Sequence, residues 1–338
     1  MIIVMKPGAS AEELKHIEDR VREAGMEPHT IYGTERRVVA AVGEERHLTA
    51  EFFKVCPGVD KVMPVLDPYK LASTERHQEP SVVELFGGGK IGGDKVGVIA
   101  GPCTVEDRSM IIETAHAVKE AGAVALRGGA FKPRTDPYTF RGLEEKALLY
   151  LADARDETGL PVVTEVMTPS DVKLVAKYAD VLQIGTRNMQ NFTLLDACGE
   201  TDKPVLLKRG MSATIDEWIL AGEYILRQGN PNVMLCERGI RTFEKAVRNT
   251  LALVAVPLLK SRTHLPVVVD PSHGTGKSSL VNAASRGAVA MGADALILEV
   301  HPEPENAILD GGQSLNLEQF RGLMRDISAV AEAVGRSA

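Results

Sequence analysis

The strongest constraint on the fold is a repeat: from Lys95 onward, short apolar runs alternate eight times with helical stretches. Each run is continuous rather than alternating with polar residues, as expected of parallel strands covered on both faces. Eight such units over roughly 240 residues predict an α/β fold, a (β/α)8 TIM barrel. An open, doubly wound sheet is the alternative, but it would usually have fewer units. The predicted strands are Val96–Ala100, Ala123–Leu126, Pro161–Thr164, Asp180–Ile184, Pro204–Leu207, Val233–Leu235, Val267–Val269 and Ala295–Leu298. The predicted helices are Met110–Ala121, Gly142–Glu157, Ser170–Ala179, Ile215–Gln228 and Ser278–Met291.

A separate small domain precedes this repeat. Residues 1–70 have the order βαββαβ, which is typical of a ferredoxin-like unit and, by analogy, of a regulatory or pairing module. Ser10 and Glu13 have capping-box spacing at the start of its first helix. Residues 71–95 are predicted to be a linker and a hairpin, and residues 96–338 the barrel. The predicted strands of the small domain are Ile2–Met5, Thr30–Tyr32, Val38–Val42 and Val59–Val65, and its helices are Ala11–Ala24 and Leu48–Lys54.

Composition excludes several functional classes. The net charge is −7, and no apolar run is long enough to span a bilayer, so neither a nucleic acid nor a membrane is an expected partner. The four cysteines lack CxxC spacing, which predicts reduced thiols and a cytoplasmic location. The N-terminus predicts a first strand rather than a signal peptide.

Cations gather where the predicted strands end. The segment after the second strand carries two glycines, which would let the backbone turn and approach a ligand, and three cations within eight residues. A solvated basic loop would explain one such cluster, and pairing with Glu237 or Asp136 would neutralise part of the charge. An anionic ligand explains the whole set better, because two phosphorylated substrates would bring about −1.5 to −2 charges per phosphate. The cations are Arg127, Lys132, Arg134, Arg187, Lys208, Arg209 and Arg238.

A second group of strand-end residues has metal-binding chemistry. Cys103, His273, Glu299 and Asp310 follow strands 1, 7 and 8, which become neighbours once a barrel closes. A thiol, an imidazole and two carboxylates could surround Mn, Fe, Co or Zn. Cys103 as a small buried residue and His301 as a rival ligand or outer partner remain alternatives. The run Gly274–Ser278 fails the P-loop pattern, which needs a glycine where Pro271 stands.

Several of these motifs together resemble one enzyme family, the 3-deoxy-D-arabino-heptulosonate 7-phosphate (DAHP) synthases. The resemblance runs from about Val82 to the end, and the motifs are Ile99–Cys103, Leu126–Thr135, Gln183–Gly185, Leu207–Gly210, Cys236–Gly239 and Val269–His273. It implies condensation of phosphoenolpyruvate with erythrose 4-phosphate in the first step of the shikimate pathway. The subtype with a ferredoxin-like domain implies feedback by an aromatic amino acid, tyrosine or phenylalanine, and a homo-oligomer, often a tetramer. The sister octulosonate 8-phosphate synthase shares the barrel, but its corresponding loop resembles Lys-Ala-Asn-Arg-Ser, whereas this chain has Lys132-Pro133-Arg134-Thr135.

The resemblance also assigns roles to residues. It implies that Cys103, His273, Glu299 and Asp310 are ligands of a divalent metal that polarises the aldehyde. Arg127, Lys132, Arg187, Lys208 and Arg238 would hold phosphoenolpyruvate, Arg134 and Thr135 the sugar phosphate, and Asp270 would lie near the sugar hydroxyls. Lys132 is the candidate proton donor and Glu165 the candidate for orienting water. Two other functions remain open: a barrel that has lost catalysis and senses a metabolite, and a pyruvate aldolase that uses no phosphate.

Overall fold

The structure is a computed structural model that describes residues 1–33, 35–43, 49–64, 68–133, 136 and 138–338. The chain divides into two compact units, Met1–Lys70 and Leu71–Ala338. None of the described helices is long and apolar enough to cross a membrane.

The first unit is a four-stranded antiparallel sheet with two helices. Its strands are β1 (Ile2–Met5), β2 (Glu27–Tyr32), β3 (Arg37–Val42) and β4 (Val59–Met63), and its helices are α1 (Ala11–Glu23) and α2 (Glu51–Lys54). The strand order β2-β3-β1-β4 confirms the ferredoxin-like topology. The capping box forms as predicted, because Ser10 Oγ accepts from the Glu13 N–H at 3.1 Å and Glu13 Oε2 accepts from the Ser10 N–H at 2.7 Å. Leu48 and Val65, at the ends of two predicted elements, lie outside the described residues.

The second unit contains a closed barrel of eight parallel strands, which confirms the predicted fold and rules out the open sheet. The barrel strands are β7 (Gly97–Gly101), β8 (Ala125–Arg127), β9 (Val162–Val166), β10 (Val181–Ile184), β11 (Val205–Lys208), β12 (Val233–Glu237), β13 (Val267–Val269) and β14 (Ala295–Glu299). Closure comes from the pairing of β14 with β7, in which Glu299 lies opposite Gly101. Several strands extend one or two residues beyond the apolar runs, so Arg127, Lys208, Glu237 and Glu299 are strand residues.

The helices of the second unit are α3 (Arg108–Glu120), α4 (Glu145–Thr158), α5 (Val172–Tyr178), α6 (Phe192–Gly199), α7 (Ile215–Arg227), α8 (Ala255–Lys260), α9 (Pro271–Thr275), α10 (Ser278–Ala290) and α11 (Leu317–Ala333). The sequence reading did not name α6, α8, α9 or α11. Helix α9 matters most for the site, because it follows β13 directly and carries His273.

The N-terminal end of the barrel is sealed by apolar side chains. A hairpin of β5 (Val83–Glu84) and β6 (Lys90–Ile91) places Val83, Leu85 and Ile91 in one core cluster with interior strand residues such as Ile99 and Ile297. The segment before the hairpin, predicted to be a linker, is bound to the barrel. Glu223 accepts from the Leu71 and Ala72 amides at 2.8 and 2.9 Å. The open end of the barrel is therefore the C-terminal end.

Candidate active site at the C-terminal end of the barrel

A cavity of about 400 Å³ opens where the parallel strands end. It forms there because all eight strands point their carboxyl ends to one rim. Seven of its described lining residues are cations, and five of these were predicted from the sequence. The cationic lining residues are Arg127, Lys132, Arg187, Lys208, Arg238, Arg241 and Arg248.

A cluster of possible metal ligands lies beside this cavity. One ligand atom each from Cys103, Glu299 and Asp310 lie within 4.8 Å of one another. Glu299 and Cys103 are buried, and Asp310 is partly exposed to the cavity that it lines. Glu299 Oε1 is buried and has no hydrogen-bond partner among the described residues. A buried carboxylate oxygen without a donor is costly, so the donor set fits a cation that would complete it.

His273 faces the same carboxylate. Its Nδ1 lies 2.7 Å from Asp270 Oδ2, and its Nε2 lies 3.2 Å from Glu299 Oε1. Burial lowers the pKa of His273, so the imidazole is neutral near pH 7 and carries only one N–H. If that N–H is donated to Asp270, the Nε2 lone pair points toward a carboxylate oxygen that also lacks a donor. This arrangement suits a metal ion, because an imidazole ligand commonly donates its other N–H to a carboxylate.

The Cys103 thiol is held between Lys132 and Asp310. Burial, reinforced by the neighbouring Glu299 carboxylate, raises the pKa of Cys103 to about 12. The thiol donates to Asp310 Oδ2 at 3.3 Å, and Lys132 Nζ donates to the sulfur at 3.2 Å and to the Cys103 carbonyl at 3.0 Å. Binding of a metal by this sulfur would have to displace its proton.

The two glycines after β8 are required by the packing around them. A Cβ on Gly129 would lie 2.6 Å from the Cys103 carbonyl oxygen and 2.8 Å from Cδ of Lys132. A Cβ on Gly128 would lie 2.9 Å from a methyl group of Leu151. Gly129 thus allows Lys132 to fold back onto Cys103, while the expectation that the two glycines let the backbone approach a ligand stays a prediction.

Arg127 is the most distinctive cation of the cavity. It is 4% exposed, and its Nη2 lies 3.3 Å from Glu299 Oε1. Its Nε and Nη1 are buried without a hydrogen-bond partner among the described residues. Arg127 lines the cavity, and a guanidinium there with two unused donors suits a carboxylate or phosphate ligand.

Lys208 and Asp270 form a buried pair. Lys208 Nζ donates to Asp270 Oδ2 at 2.6 Å, while Asp270 Oδ1 accepts from the His273 amide at 2.9 Å. Asp270 is fully buried and does not line the cavity. Burial acts to raise its pKa, but His273 and Lys208 outweigh burial and lower the pKa well below its ordinary value. Asp270 is therefore a partner of His273 and Lys208, and not a side chain open to substrate hydroxyls.

Glu165 lines the cavity opposite these groups. Burial raises the pKa of Glu165, against the opposing effects of Lys132 and Lys208. Its carboxylate lies over Gly185, where a Cβ would approach Oε1 to 2.0 Å. Gly185 is thus needed for the position that Glu165 occupies.

Comparison with known proteins identifies the family. Residues 73–334 match the DAHP synthetase I family, and residues 1–67 match the DAHP synthase ferredoxin-like domain. The chain belongs to the DAHP synthetase I family.

The relatives of this DAHP synthase family chain cover between 69% and 99% of its length. It is 49% identical over 335 residues to phospho-2-dehydro-3-deoxyheptonate aldolase from Thermotoga maritima, with 99% of both chains covered. It is 34% identical over 249 residues to 2-dehydro-3-deoxyphosphooctonate aldolase from Nitratidesulfovibrio vulgaris, covering 69% of this chain and 91% of that protein. The crystal structure of DAHP synthase from Thermotoga maritima superposes with a TM-score of 0.94 at 48% identity, covering 99% of this chain and 98% of that one. A truncated form of the Thermotoga enzyme gives a TM-score of 0.75 at 51% identity, covering 80% of this chain and 98% of that one. These findings confirm the family expected from the sequence motifs and its enzymatic activity.

Some residues that the sequence predicted for the cavity or the metal cluster of this DAHP synthase family member are not found there. Arg209 does not line the cavity, because its guanidinium donates to Glu237 Oε2 at 2.7 Å and to the Ala213 carbonyl at 3.0 Å. His301 Nε2 lies 3.5 Å from Glu106, and the histidine is not part of the three-residue ligand cluster. Arg134, Thr135 and Pro137 lie outside the described residues.

Several polar residues of the site in this family member were not predicted from the sequence. Arg241 and Arg248 line the cavity, and Gln313 donates to Glu299 Oε2 at 2.6 Å. The basic stretch between Arg238 and Arg248, which continues beyond the end of β12, was the available signal for the two arginines. No sequence pattern points to Gln313.

Proposed function

We propose that this cavity is where phosphoenolpyruvate and erythrose 4-phosphate condense, in a metal-dependent reaction, to give DAHP and phosphate. One observation supports this location above all: the buried Arg127 lines the cavity, keeps two donors unused among the described residues, and has its Nη2 3.3 Å from Oε1 of Glu299 in the ligand cluster. An anion would accept hydrogen bonds from the two unused donors of the guanidinium, and a cation would bind the carboxylate oxygen that accepts no hydrogen bond. The reaction needs both an anionic substrate and a divalent metal at one place.

Four side chains would hold the metal: Cys103, His273, Glu299 and Asp310. Their sulfur, nitrogen and oxygen donors suit Mn, Fe, Co or Zn. When bound, the metal would supply Lewis-acid polarisation of the aldehyde carbonyl. Asp270 supports the set by holding Nδ1 of His273, which turns Nε2 toward Glu299.

The cations of the cavity would bind and orient the substrates. Arg127, Lys132, Arg187, Lys208 and Arg238 are proposed for phosphoenolpyruvate, and three of them, Arg127, Lys208 and Arg238, are buried in the cavity wall. Arg134 and Thr135 are proposed for the sugar phosphate on the resemblance alone. For Asp270 we propose orientation of His273 and Lys208, since its oxygens are occupied by those residues. Fixed cations in a site that excludes water would position both substrates and stabilise developing charge.

Two titratable residues, Lys132 and Glu165, are proposed to act in the chemical steps. As C3 of phosphoenolpyruvate attacks the aldehyde carbon, Lys132 would donate a proton to the developing alkoxide. Burial acts to lower the pKa of Lys132, but Cys103 and Glu299 outweigh it and raise the pKa, so the ammonium is available near neutral pH. Glu165 would orient the water that attacks C2 and accept the proton that this water loses. The C–O bond to phosphate then breaks, and inorganic phosphate leaves with the electron pair of that bond.

The experiment that tests this function compares two sugars. Consumption of phosphoenolpyruvate is followed with erythrose 4-phosphate and, separately, with arabinose 5-phosphate, each with and without a chelator. We expect a preference for the four-carbon sugar, release of inorganic phosphate, and loss of turnover under chelation. A preference for the five-carbon sugar would move the chain to the octulosonate activity of its 34%-identical relative. Turnover without phosphate release would indicate a pyruvate aldolase, and no consumption of either sugar would indicate a metabolite sensor.

Feedback regulation and the oligomeric state are also proposals, and they rest on the N-terminal domain rather than on the cavity. The match of residues 1–67 to the DAHP synthase ferredoxin-like domain supports inhibition by tyrosine or phenylalanine and a homotetramer. Initial rates measured with each amino acid, and the mass from light scattering, would test both. The cytoplasmic location expected from the cysteines stays a prediction; all four are free and buried.

A further inference from the structure

Two carboxylates of the ligand cluster each direct one oxygen toward the same pair of side chains. Glu299 Oε2 accepts from Gln313 Nε2 at 2.6 Å, and Asp310 Oδ1 lies 3.5 Å from Arg248 Nη1. The two holding residues are bonded to each other, because Arg248 Nη1 also donates to Gln313 Oε1 at 2.7 Å. An arginine of the cavity wall and a buried amide therefore form one continuous connection between the two carboxylates.

The other oxygen of each carboxylate faces the cluster. Glu299 Oε1 lies 3.2 Å from His273 Nε2 and 3.3 Å from Arg127 Nη2, and it accepts no hydrogen bond from the described residues. Asp310 Oδ2 accepts from the Cys103 thiol at 3.3 Å. The division is the same in both residues: one oxygen points outward to the Arg248–Gln313 connection, and one points inward to the thiol and the imidazole.

The backbone around Arg248 fixes its side chain. The Arg248 amide donates to the Thr275 carbonyl at 3.1 Å, and Asn249 Nδ2 donates to the His273 carbonyl at 2.8 Å. Gly276, with φ +68°, leaves the space that Arg248 fills, since a Cβ there would lie 2.4 Å from Arg248 Cβ. Helix α9, which carries His273, thus also anchors Arg248.

Gln313 and Asp310 are fixed from the other side. Gln313 is 3% exposed and ends the 3-10 turn Gly311–Gln313 that begins beside Asp310. Asp310 has a φ of +56°, a left-handed conformation that few residues other than glycine adopt.

We propose that Arg248 and Gln313 form a positioning clamp that selects Glu299 Oε1 and Asp310 Oδ2 as metal-binding atoms. The inference rests on the metal site of the proposed function. Both residues act through the carboxylates and are positioning residues rather than ligands. Outer partners of this kind typically change metal affinity by about 10- to 100-fold when they are removed.

The direction in which Arg248→Met changes the affinity for metal distinguishes this clamp from a simple charge effect. Arg248→Met removes a cation close to the site, so electrostatics alone would tighten binding of a metal cation. The clamp predicts the opposite, because Gln313 and Asp310 lose the group that orients them. The test is titration of the full-length, chelator-stripped protein with Co²⁺, using competition with a chelator for the dissociation constant. The thiolate-to-cobalt absorption band reports whether Cys103 remains bound.

We expect the dissociation constant for Co²⁺ to rise about 10- to 100-fold in Gln313→Met and to rise, not fall, in Arg248→Met. The loss of affinity in the double variant should be smaller than the product of the two single losses, because part of each effect passes through the bond between Arg248 and Gln313. Arg248→Lys keeps the charge, but its ammonium reaches less far from the backbone than Nη1 of the arginine does, so we expect an intermediate value. Arg286→Met, at an exposed position on α10, is the matched control and should bind as the wild type does.

The outcomes separate the clamp from the metal site itself. Tighter or unchanged binding in Arg248→Met, or fully multiplicative effects in the double variant, would overturn the clamp. If the wild type gives no thiolate-to-cobalt band, the proposed metal site fails instead. If Gln313→Met does not fold, Arg248→Met and Arg248→Lys still decide the question, since the Arg248 side chain is 41% exposed.

Discussion

The two ends of the barrel use the same kinds of charged residue for different purposes. At the N-terminal end, Asp294 accepts from the Val267 amide at 2.8 Å and from Lys260 Nζ at 2.7 Å. Asp180 likewise accepts from the Val162 amide at 2.8 Å and lies 3.5 Å from Arg155 Nη1. At the C-terminal end, Arg127 and Glu299 are buried and keep atoms without hydrogen-bond partners in the described structure. Paired charges tie strand ends to their neighbours, whereas incompletely paired charges mark where ligands complete the structure.

The largest expected effect is at Arg127. In Arg127→Met the cavity loses two donors that only an anionic substrate would satisfy, so kcat/KM should fall by about 10³-fold or more. The measurement is steady-state kinetics with phosphoenolpyruvate as the varied substrate. The matched substitution at the opposite end, Arg155→Met, removes an arginine that bonds the Tyr178 carbonyl at 3.0 Å and should leave kcat/KM unchanged. Equal losses in the two variants would break the comparison.

The next effect is on stability and lies at the N-terminal end. Asp294→Ala removes a carboxylate that is 4% exposed and leaves the Val267 amide and Lys260 without their acceptor. We expect a loss of about 2–3 kcal/mol in the free energy of unfolding, with kcat of the folded protein unchanged. Denaturant unfolding measures the first and an assay below the transition measures the second. Asp153→Ala is the control, because its pair with Arg108 is on the surface and should cost under about 1 kcal/mol.

The smallest expected effect comes from a single methyl group. Gly185→Ala would put a Cβ 2.0 Å from the Glu165 carboxylate and displace it, so kcat should fall roughly 10- to 100-fold with little loss of fold. Gly322→Ala is the matched substitution, in helix α11 with its nearest atom 3.8 Å away. It should leave kcat unchanged and raise stability by about 0.5–1 kcal/mol. If Gly185→Ala keeps full kcat, the position of Glu165 is unimportant for turnover.

The barrel could be predicted because the sequence pattern of each strand is contained in a few consecutive residues. Each buried strand is a continuous apolar run, and the first polar residue after it marks the rim where a site forms. The short helices α8 and α9 carry no comparable signal, because they have six and five residues and contain prolines. Helix α11 could have been found, since Asn316 and Gln319 form a capping box at its start.

The sequence could not predict in the same way which side chains of the site bond to one another. Arg209 meets Glu237 because Lys208 lies opposite Cys236 in the pairing of β11 with β12, and strand register is not readable from two apolar runs. Arg248 and Gln313 are 65 residues apart and meet only because helix α9 anchors Arg248. The sequence therefore indicates which residues surround the cavity, while packing decides which of them are already neutralised.

The most direct test of the central claim is a metal titration of Cys103→Ala against the wild type. Both proteins are stripped with a chelator, metal is added back, and turnover of phosphoenolpyruvate with erythrose 4-phosphate is followed at each concentration. The account predicts that the wild type recovers activity at a stoichiometric amount of metal, whereas Cys103→Ala stays inactive although it is folded. Full turnover by the metal-replete Cys103→Ala protein would contradict the assignment of Cys103 to the metal cluster at the C-terminal end of the barrel.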